Sequence, residues 1–473
     1  MERGLDSRKG TGRSLLNLAE AAVIALSATA CTAASLSPST GGAGASGSAS
    51  PTTTGTSVVP TDIATPTQTP TPSLRSSGGV SSGTWTGLDW AAVPTGLAPT
   101  VPPVAANGYY PNAILEGWSK GYVELLWDPK LRTATPWVSA DGLSWQVGSK
   151  LDTSVWLADM KAFDQENVDL SADCSLRIRH FEEGPETLLM TAYFICPVAC
   201  GNGIVGRDAT WTSSDGLSWT PLDRPKTFGS NGVGAISGGS SGFVALGGTS
   251  DGRILWLSAD GQNWKHGTLP ADARATGAEA YDPAAVAGGY VLPGALLDKN
   301  GAQIAVGGCA GILSDDLPQY TGALWWSPDG INWTRESLAG VGSGPYVQVN
   351  VVRVDDHMLL ATELIETGSE SRQIAWTSRD GKSWTLGTGL PTDPIVVPGR
   401  DQGLISTGSD SYGNAPTLSI VDDRLGLVAL AQTGDQPKWG DTQLGDVQLA
   451  LGPGGLLCTA DGSRFWIGVP AVR

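Results

Sequence analysis

The feature that most limits the fold of this chain is a turn sequence, Ser/Thr-x-Asp-Gly-x-x-Trp, which occurs six times between residues 137 and 466. Asp-Gly between apolar runs is a strong signal for a tight β-hairpin, because Gly accepts a positive φ and Asp binds nearby backbone N–H groups. Five copies keep one spacing, and the sixth has one extra residue before its Trp. The turn residues, for which we predict a structural role, are Ser139, Asp141, Gly142, Trp145, Ser213, Asp215, Gly216, Trp219, Ser258, Asp260, Gly261, Trp264, Ser327, Asp329, Gly330, Trp333, Ser378, Asp380, Gly381, Trp384, Thr459, Asp461, Gly462 and Trp466.

A second recurring element is a short β run, rich in Gly, aromatic and aliphatic residues, upstream of each turn. In the shortest repeat the pattern predicts four strands, at residues 233–236, 242–247, 253–258 and 263–267. Four short antiparallel strands per repeat, repeated in tandem, are typical of a β-propeller. We therefore predict an all-β fold, a β-propeller with six four-stranded blades, or seven if the 81-residue interval between the last two turns holds a blade without a turn. The run at residues 85–93 resembles a fourth strand, and we expect it to help close the ring.

The turn resembles the Asp-box, or bacterial neuraminidase repeat, of sialidases, sortilin-like receptors and other secreted propellers. The usual box reads S-x-D-x-G-x-T-W, whereas here Gly directly follows Asp and the box is one residue shorter. The resemblance covers residues 84–473 and implies the propeller fold. In that family the box is a structural turn away from the active site, so the resemblance implies no activity.

The first residues have the order of a secretory signal peptide. Four basic residues, a mostly apolar stretch at residues 15–30 and a run of small residues precede Cys31. A Cys in this place resembles the lipobox of bacterial lipoproteins, which implies that Cys31 becomes a lipidated N-terminus. An ordinary cleaved signal with an incidental Cys is the alternative. We therefore expect a chain outside the cytoplasm, anchored to the cell membrane as a lipoprotein or else secreted.

The segment that follows Cys31 is nearly all Ser, Thr, Pro, Gly and Ala. Such a composition buries too little apolar surface to offset its ordering entropy, so we predict a disordered linker. The expected organisation is a signal peptide at 1–30, the lipidated Cys and linker at 31–83, and a single propeller at 84–473.

Charge and cysteine content limit the partners. The formal net charge is −17, which makes nucleic acid an unsuitable partner because Lys and Arg must neutralise its phosphates. With three His in the chain and none beside a Cys cluster, we expect no zinc site. Cys196 and Cys200 could pair with each other, or one of them with Cys174, and Cys309 and Cys458 have no assigned partner.

Few residues point to chemistry. A sialidase needs three Arg residues, a Tyr–Glu pair and an Asp, and the closest match to its arginine motif is Leu176-Arg177-Ile178-Arg179. We interpret Arg177 and Arg179 as solvent-side residues of an alternating strand. The carboxylate pairs Asp315–Asp316 and Asp355–Asp356 are predicted to be solvated loop charges.

Three further patterns are also predicted to be structural. The string at residues 238–242 fits the nucleophile-elbow motif, but it joins two predicted strands and lacks the strand–turn–helix context. His266 is predicted to lie in a strand and His357 in a tight turn. The Asp-Gly turns lack the ligand pattern of a calcium loop. We therefore expect no catalytic residue, cofactor or metal.

The function that best fits this sequence is a monomeric cell-surface module that binds an extracellular protein or glycan without catalysis. A glycoside hydrolase, sialidase-like or otherwise, would use the same scaffold but lacks readable catalytic residues. A purely structural surface protein is the third hypothesis. The membrane would be reached through the N-terminal lipid alone.

Overall fold

The computed structural model describes residues 85–94, 99, 113–128, 131–151, 153, 175–197, 204–223, 227–228, 233–249, 252–273, 279–280, 282–297, 319–367, 370–387, 395–399, 402–407, 417–421, 427–437, 448–459 and 464–472. The chain divides into two compact units. One comprises residues 1–76 and 305–312, which lie outside the described residues. The other, residues 77–304 and 313–473, contains every described strand.

The described strands form seven sheets, which are the blades of a β-propeller, and all their strand pairs are antiparallel except β1 with β28. Blades 4 and 7 add short extra strands to the four-stranded pattern of the other five. The strands are β1 (Trp85–Ala92), which belongs to blade 7; β2 (Ala113–Trp118), β3 (Gly121–Asp128), β4 (Thr133–Ser139) and β5 (Gln146–Val147) in blade 1; β6 (Ser175–Glu183), β7 (Leu188–Pro197), β8 (Ile204–Ser213) and β9 (Thr220–Pro221) in blade 2; β10 (Val233–Gly239), β11 (Gly242–Thr249), β12 (Gly252–Ser258) and β13 (Trp264–His266) in blade 3; β14 (Glu279–Ala280), β15 (Ala284–Val286), β16 (Gly289–Leu297), β17 (Tyr320–Ser327), β18 (Thr334–Glu336) and β19 (Ser343–Gly344) in blade 4; β20 (Tyr346–Asp355), β21 (Met358–Thr367), β22 (Glu370–Ser378) and β23 (Thr385–Leu386) in blade 5; β24 (Ile395–Val397), β25 (Leu404–Thr407), β26 (Thr417–Val421) and β27 (Leu427–Ala429) in blade 6; and β28 (Ala431–Gly434), β29 (Gln448–Gly452), β30 (Gly455–Thr459) and β31 (Phe465–Val472) in blade 7.

The blades form a closed ring. Their inner strands contact one another in the order β2, β6, β10, β15, β20, β24, β29 and back to β2. Blade 6 lies in the long interval between the fifth and sixth turns, so the blade count is seven, the higher of the two counts that the sequence allowed. The turn pattern does not identify blade 6, because no Asp-Gly turn occurs between its strands.

Blade 7 joins the two ends of the propeller. Its strand order is β29-β30-β31-β1-β28, so the first described strand of the chain completes the last sheet. β1 pairs antiparallel with β31, with Trp90 opposite Gly468, and parallel with β28. The prediction that residues 85–93 help to close the ring is confirmed by this pairing.

The core consists of apolar layers between neighbouring blades. Seven buried clusters lie one at each seam between adjacent blades, and an eighth adds to the seam of blades 1 and 2. The Trp two residues before the Ser of the second, fourth and fifth turns is fully buried in these layers; these are Trp211, Trp325 and Trp376. Burying each large apolar side chain contributes about 1.5–3 kcal/mol, so the seams hold the ring together.

The five complete turns share one hydrogen-bond pattern. The Ser Oγ accepts from the turn Gly N–H at 2.8–2.9 Å, and the Asp Oδ1 accepts from the next two backbone N–H groups at 2.7–2.9 Å. The Gly has a φ of 69–76° in all five, a conformation that residues with a side chain rarely adopt. This pattern makes each turn a rigid link between the third and fourth strands of its blade.

Each turn also packs against the blade before it. A Cβ on Gly330 in blade 4 would lie 2.5 Å from side-chain carbons of Leu257 in blade 3. The corresponding Gly216 faces Val123 and Val138 of blade 1. The absence of a side chain at these positions therefore lets the turn close the seam between two blades.

Candidate functional site

A cluster of charged side chains lies at the centre of the ring. It consists of Glu116 at the end of β2, Glu182 and Glu183 at the end of β6, Arg353 near the end of β20 and Asp356 in the turn that follows β20. We call these five residues the central cluster. They come together because each lies near or just after the C-terminal end of β2, β6 or β20, which are inner strands of their blades.

Hydrogen bonds fix most members of the central cluster. Arg353 Nη1 lies 3.0 Å from Asp356 Oδ1, and both side chains are about one-tenth exposed. Glu182 Oε2 accepts from the backbone N–H of Gly238 in blade 3 at 2.9 Å, and Glu183 Oε2 accepts from that of Ser119 in blade 1 at the same distance. The carboxylates of β6 therefore tie blade 2 to both neighbours.

Burial changes the acidity of the central glutamates. Desolvation, with a smaller contribution from the charge of Glu182, raises the pKa of Glu116 to about 8. Desolvation also raises the pKa of Glu182, against the lowering effects of Arg353 and of the Gly238 N–H. Glu116 is therefore mainly protonated at neutral pH, and the cluster holds a proton that exposed glutamates would release.

A raised carboxyl pKa beside a second carboxylate is the arrangement that glycosidases use for general acid catalysis. The space at this site is small, however. The cavity bordered by Glu116, Glu183 and Arg353 measures about 30 Å³, which is room for about two water molecules. Ligand pockets usually measure about 300–1,000 Å³, so the central cluster can take up water but not a sugar ring.

A second, larger depression lies on the seam between blades 2 and 3. Its volume is about 460 Å³, and its lining includes Thr212, Thr220, Asp223, Gln262, Asn263 and Trp264. We call it the seam groove. The third Asp-Gly turn provides one wall, and the outer strand of blade 2 with the residues after it provides the other. Its size is in the range of ligand pockets.

The structure corrects the interpretation of one carboxylate pair. Asp355 and Asp356 were expected to be solvated, but each is only 7% exposed. Asp355 accepts a hydrogen bond from the N–H of His357 at 2.8 Å, and Asp356 pairs with Arg353. These protein partners replace water around both carboxylates.

The other candidate residues occupy structural positions. Arg177 and Arg179 are exposed on β6, as the alternation predicted, and Arg179 lies 3.6 Å from Asp208. Residues 238–242 form the β10–β11 hairpin connection rather than a nucleophile elbow. His266 lies in β13, its ring edge-on to Trp256 at 4.1 Å between centroids, and His357 lies in the β20–β21 turn, as predicted.

Several candidates lie outside the described residues. They are Cys31, Cys174, Cys200, Cys309, Asp315, Asp316, Asp461 and Gly462, together with the signal peptide and linker. Cys458 is described and is a buried free thiol. Desolvation raises the pKa of this thiol, so it behaves as a small apolar residue.

Sequence reasoning missed Glu116, Glu182, Glu183 and Arg353. The signal that could have found them is a charged residue near the end of an otherwise apolar inner strand, as in Ala113–Trp118. In the part of the chain that the structure describes, no three His, Cys, Asp or Glu side chains are grouped so as to hold a metal ion. Nor do these residues contain a helix with the length and apolar character needed to cross a bilayer.

No family model and no curated protein matches the chain. Among solved structures, it is similar to a family 117 glycoside hydrolase of Zobellia galactanivorans, with 12% identity, a TM-score of 0.28 and coverage of 52% of this chain and 77% of that one. It is also similar to a glycosyl hydrolase of Bacteroides ovatus (13%, 0.23, 64% and 93%) and to the acylaminoacyl peptidase of Pyrococcus horikoshii (7%, 0.34, 66% and 47%). At these identities and scores no residue role passes to this chain, and the propeller fold rests on the strand pairing described above.

Proposed function

We propose that this chain is the ligand-binding head of an extracytoplasmic lipoprotein and that it binds its ligand without catalysis. The observation that carries the proposal is the size of the cavity at the central cluster, about 30 Å³, where the raised pKa of Glu116 would otherwise suit an acid catalyst. In the part of the chain that the structure describes, the cavity beside that carboxyl group has room for water but not for a sugar ring. A rigid ring with an open groove elsewhere is suited to recognition instead.

The sequence supports the tethered location. A signal-like N-terminus, Cys31 after small residues, and a Ser/Thr/Pro/Gly-rich segment before the propeller together suit a head held away from a membrane by a lipid and a spacer. The likeness of the turns to the Asp-box of secreted propellers supports the same assignment. The ligand class on this proposal is an extracellular protein or glycan, and the head acts as a monomer.

A glycoside hydrolase is the second candidate. It is favoured by the raised pKa of Glu116, caused by desolvation and by the charge of Glu182 at the ring centre. For this activity the inner ends of blades 1 and 2 would have to separate enough to admit a sugar.

Two measurements test the proposal on the full chain produced in a bacterial host that lipidates exported proteins. Mass spectrometry of the N-terminus should find a lipid on Cys31, and Cys31→Ala should release the protein from the membrane fraction. The released protein should bind a ligand on glycan or protein arrays and should not hydrolyse chromogenic glycosides. Turnover that Glu116→Gln abolishes would instead establish the glycosidase. An unlipidated, soluble product of the unaltered chain would contradict the anchor.

A further inference from the structure

We infer that the first turn, at Asp141-Gly142, is where the propeller slowly isomerises to isoaspartate, and that extra hydrogen bonds protect the other four complete turns. Asp followed by Gly is the sequence most open to this reaction, because Gly has no side chain to obstruct the approach of its own nitrogen. The change needs no enzyme and no ligand, so it is a property of the scaffold and is separate from the proposed function. The five complete turns have the same sequence pattern, so differences in their hydrogen bonds decide which of them reacts.

The reaction begins with the protonated side-chain carboxyl group of the Asp. The backbone nitrogen of the Gly forms a bond to Cγ, and the carboxyl hydroxyl leaves with the amide proton as water, which closes a succinimide ring. Water then adds to the former backbone carbonyl carbon of the Asp, and the bond from that carbon to the Gly nitrogen breaks. The chain then runs through Cβ and Cγ and is one methylene longer. One water leaves and one is taken up, so the composition of the protein is unchanged.

Two kinds of hydrogen bond that all five turns share oppose the attack. In the first turn the Gly142 N–H donates to Ser139 Oγ at 2.8 Å, and Asp141 Oδ1 accepts from the next two backbone N–H groups at 2.8 Å. The attack requires the Gly peptide to rotate and the carboxyl group to turn towards it, so these bonds must break first. Because they occur in every complete turn, they slow the reaction everywhere and do not distinguish the turns.

The second carboxylate oxygen, Oδ2, distinguishes the turns. In the third and fourth turns, Oδ2 of Asp260 and of Asp329 accepts from the side-chain amide of the Asn three residues later at 2.7 Å. In the fifth, Oδ2 of Asp380 accepts from a Ser hydroxyl at 3.3 Å. Among the described residues, none donates to Oδ2 of Asp141 or Asp215. A carboxylate held at both oxygens loses more bonds when it turns towards the Gly nitrogen, so the third and fourth turns are the best protected.

The Trp that ends the turn makes a second difference. In the second, third and fifth turns its Nε1 donates to the carbonyl oxygen of the turn Gly at 2.7–3.0 Å, and in the fourth it donates to Thr268 O. In the first turn, Trp145 Nε1 is buried and has no hydrogen-bond partner among the described residues. The Asp N–H donates to the Ser Oγ at 3.3–3.4 Å in the second to fifth turns, and the described residues contain no such bond in the first. The first turn therefore has the fewest bonds to lose.

Hydrogen bonding also reduces the reactive form of the protected carboxyl groups. In the third turn, partial desolvation is outweighed by hydrogen bonds, which lower the pKa of Asp260. In the fourth, the backbone N–H of Asn332 contributes most to lowering the pKa of Asp329. A lower pKa leaves a smaller protonated fraction at neutral pH, and only that fraction reacts readily.

The first turn lies on the seam where the ring closes. A Cβ on Gly142 would lie 3.2–3.3 Å from side-chain carbons of Ile467 and Leu457 in blade 7. One on Gly454, also in blade 7, would lie 2.8 Å from the Asp141 carbonyl oxygen. Contacts this close leave no room for an added methylene, so isomerisation must displace the turn and weaken the closing seam.

The test follows all five complete turns in one protein. The full chain carrying Cys31→Ala is kept at neutral pH and physiological temperature for several weeks and is then digested. Electron-transfer fragmentation distinguishes isoaspartate from Asp, which have equal mass, and locates each site, so that other Asp-Gly and Asn-Gly sequences are counted apart. Isoaspartate should accumulate at Asp141 about three- to tenfold faster than at Asp260 or Asp329, the factor that the loss of one hydrogen bond usually represents.

Matched substitutions link the rate to the hydrogen bonds. Asn263→Ala removes the amide that holds Oδ2 in the third turn and should raise the rate at Asp260. Asn332→Ala makes the same change in the fourth turn, should leave Asp260 unchanged and serves as the control. Ser144→Asn gives the first turn the amide that it lacks and should lower the rate at Asp141.

Three results would overturn the inference. Asp141 is half-buried against blade 7 and the other four turn Asp residues are exposed, so a rate at Asp141 no higher than at Asp215 would mean that packing protects the turn more than hydrogen bonds do. Rates that the substitutions leave unchanged would show that these bonds do not control the reaction. The third result is an absence of isoaspartate at Asp141 while it forms in an unfolded peptide of residues 137–147. None of these results involves ligand binding, so the proposed function is tested separately.

Discussion

Folding shifts the pKa of carboxyl groups in opposite directions at two places in the molecule. It lowers the pKa of turn aspartates at the perimeter of the ring and raises the pKa of glutamates at its centre. In the third turn, partial desolvation of Asp260 is outweighed by hydrogen bonds from Asn263 and Gln262, which lower its pKa to about 2. Backbone hydrogen bonds, the one from Asn332 first, likewise lower the pKa of Asp329. At the centre, desolvation raises the pKa of Glu116 to about 8. The turn aspartates and Glu116 are both carboxyl groups, so the difference in their pKa comes from their positions in the propeller.

The difference shows which acidic residues serve the fold. The turn aspartates accept hydrogen bonds from a cage of N–H donors that only the ionised form fully satisfies. The central Glu116 lacks such a cage, as does Glu124 in the layer between blades 7 and 1, whose carboxyl oxygens have no hydrogen-bond partner among the described residues. Burial raises the pKa of Glu124 as well. We conclude that the perimeter carboxylates stabilise the folded protein when charged, whereas the buried ones oppose folding when charged.

The largest effect is expected from a turn glycine that both adopts a positive φ and contacts the preceding blade. Gly330 has a φ of 69°, and a Cβ there would lie 2.5 Å from Leu257. Gly330→Ala should lower the free energy of unfolding by about 3–5 kcal/mol, the sum of backbone strain and overpacking. Chemical denaturation of the Cys31→Ala protein measures this change.

Gly288 supplies the control for this prediction. Its φ is 86°, but no heavy atom lies within 4 Å of the position that a Cβ would take, so Gly288→Ala carries the strain alone. That variant should cost about 1–2 kcal/mol. Equal losses in the two variants would mean that the turn does not close the seam.

A smaller effect, opposite in sign, is expected at the centre. The pKa of Glu116 is raised from 4.5 to about 8, so the folded state binds the extra proton across that interval. Its stabilising contribution is complete below about pH 4.5 and is lost as the pH rises through about 8. Glu116→Gln should remove this loss and make the protein about 2–4 kcal/mol more stable at pH 8, relative to its effect at pH 4.5.

Unfolding free energies between pH 4.5 and 8.5 check this prediction. Glu186→Gln, in the exposed β6–β7 turn, is the matched substitution and should leave the pH profile of the wild-type chain unchanged. If the unfolding free energies of Glu116→Gln and the wild type changed with pH in the same way, water would reach the centre freely. The pKa of Glu116 would then not be raised, and the centre would not differ from the perimeter in the way described.

The perimeter of the ring was largely predictable from sequence because its information is local. Asp329-Gly330 carries its own hydrogen-bond donors and acceptors within a few residues, so the hairpin follows from the order of residue types. The closing strand could be read for the same reason, since residues 85–93 resemble the fourth strands elsewhere. Blade 6 was harder to identify because its strands are joined without that turn.

The centre was not predictable because its partners are distant in the chain. Glu116 and Arg353 are more than 200 residues apart and meet only when the ring closes. Asp355 and Asp356 show the same limit, since a loop-like sequence gave no sign that the folded ring would bury them. The seam groove likewise depends on how the end of blade 2 passes the third turn, which no pattern in either segment specifies.

The smallest effect concerns the charge of a turn aspartate. Because the pKa of Asp260 is lowered from 3.8 to about 2, its stabilising contribution is present above about pH 3.8 and is lost as the pH falls through about 2. The side chain is exposed, so solvent screens much of the interaction, and Asp260→Asn should cost only about 0.5–1 kcal/mol at pH 7. The cost should shrink between pH 4 and pH 2.5, the direction opposite to that at Glu116. Asp282→Asn, exposed and outside any turn copy, is the control. If the loss of unfolding free energy in Asp260→Asn stayed constant with pH, hydrogen-bond geometry alone, and not the charge of Asp260, would stabilise the turn. Of Asp260 and Glu116, only Glu116 would then affect folding through its charge.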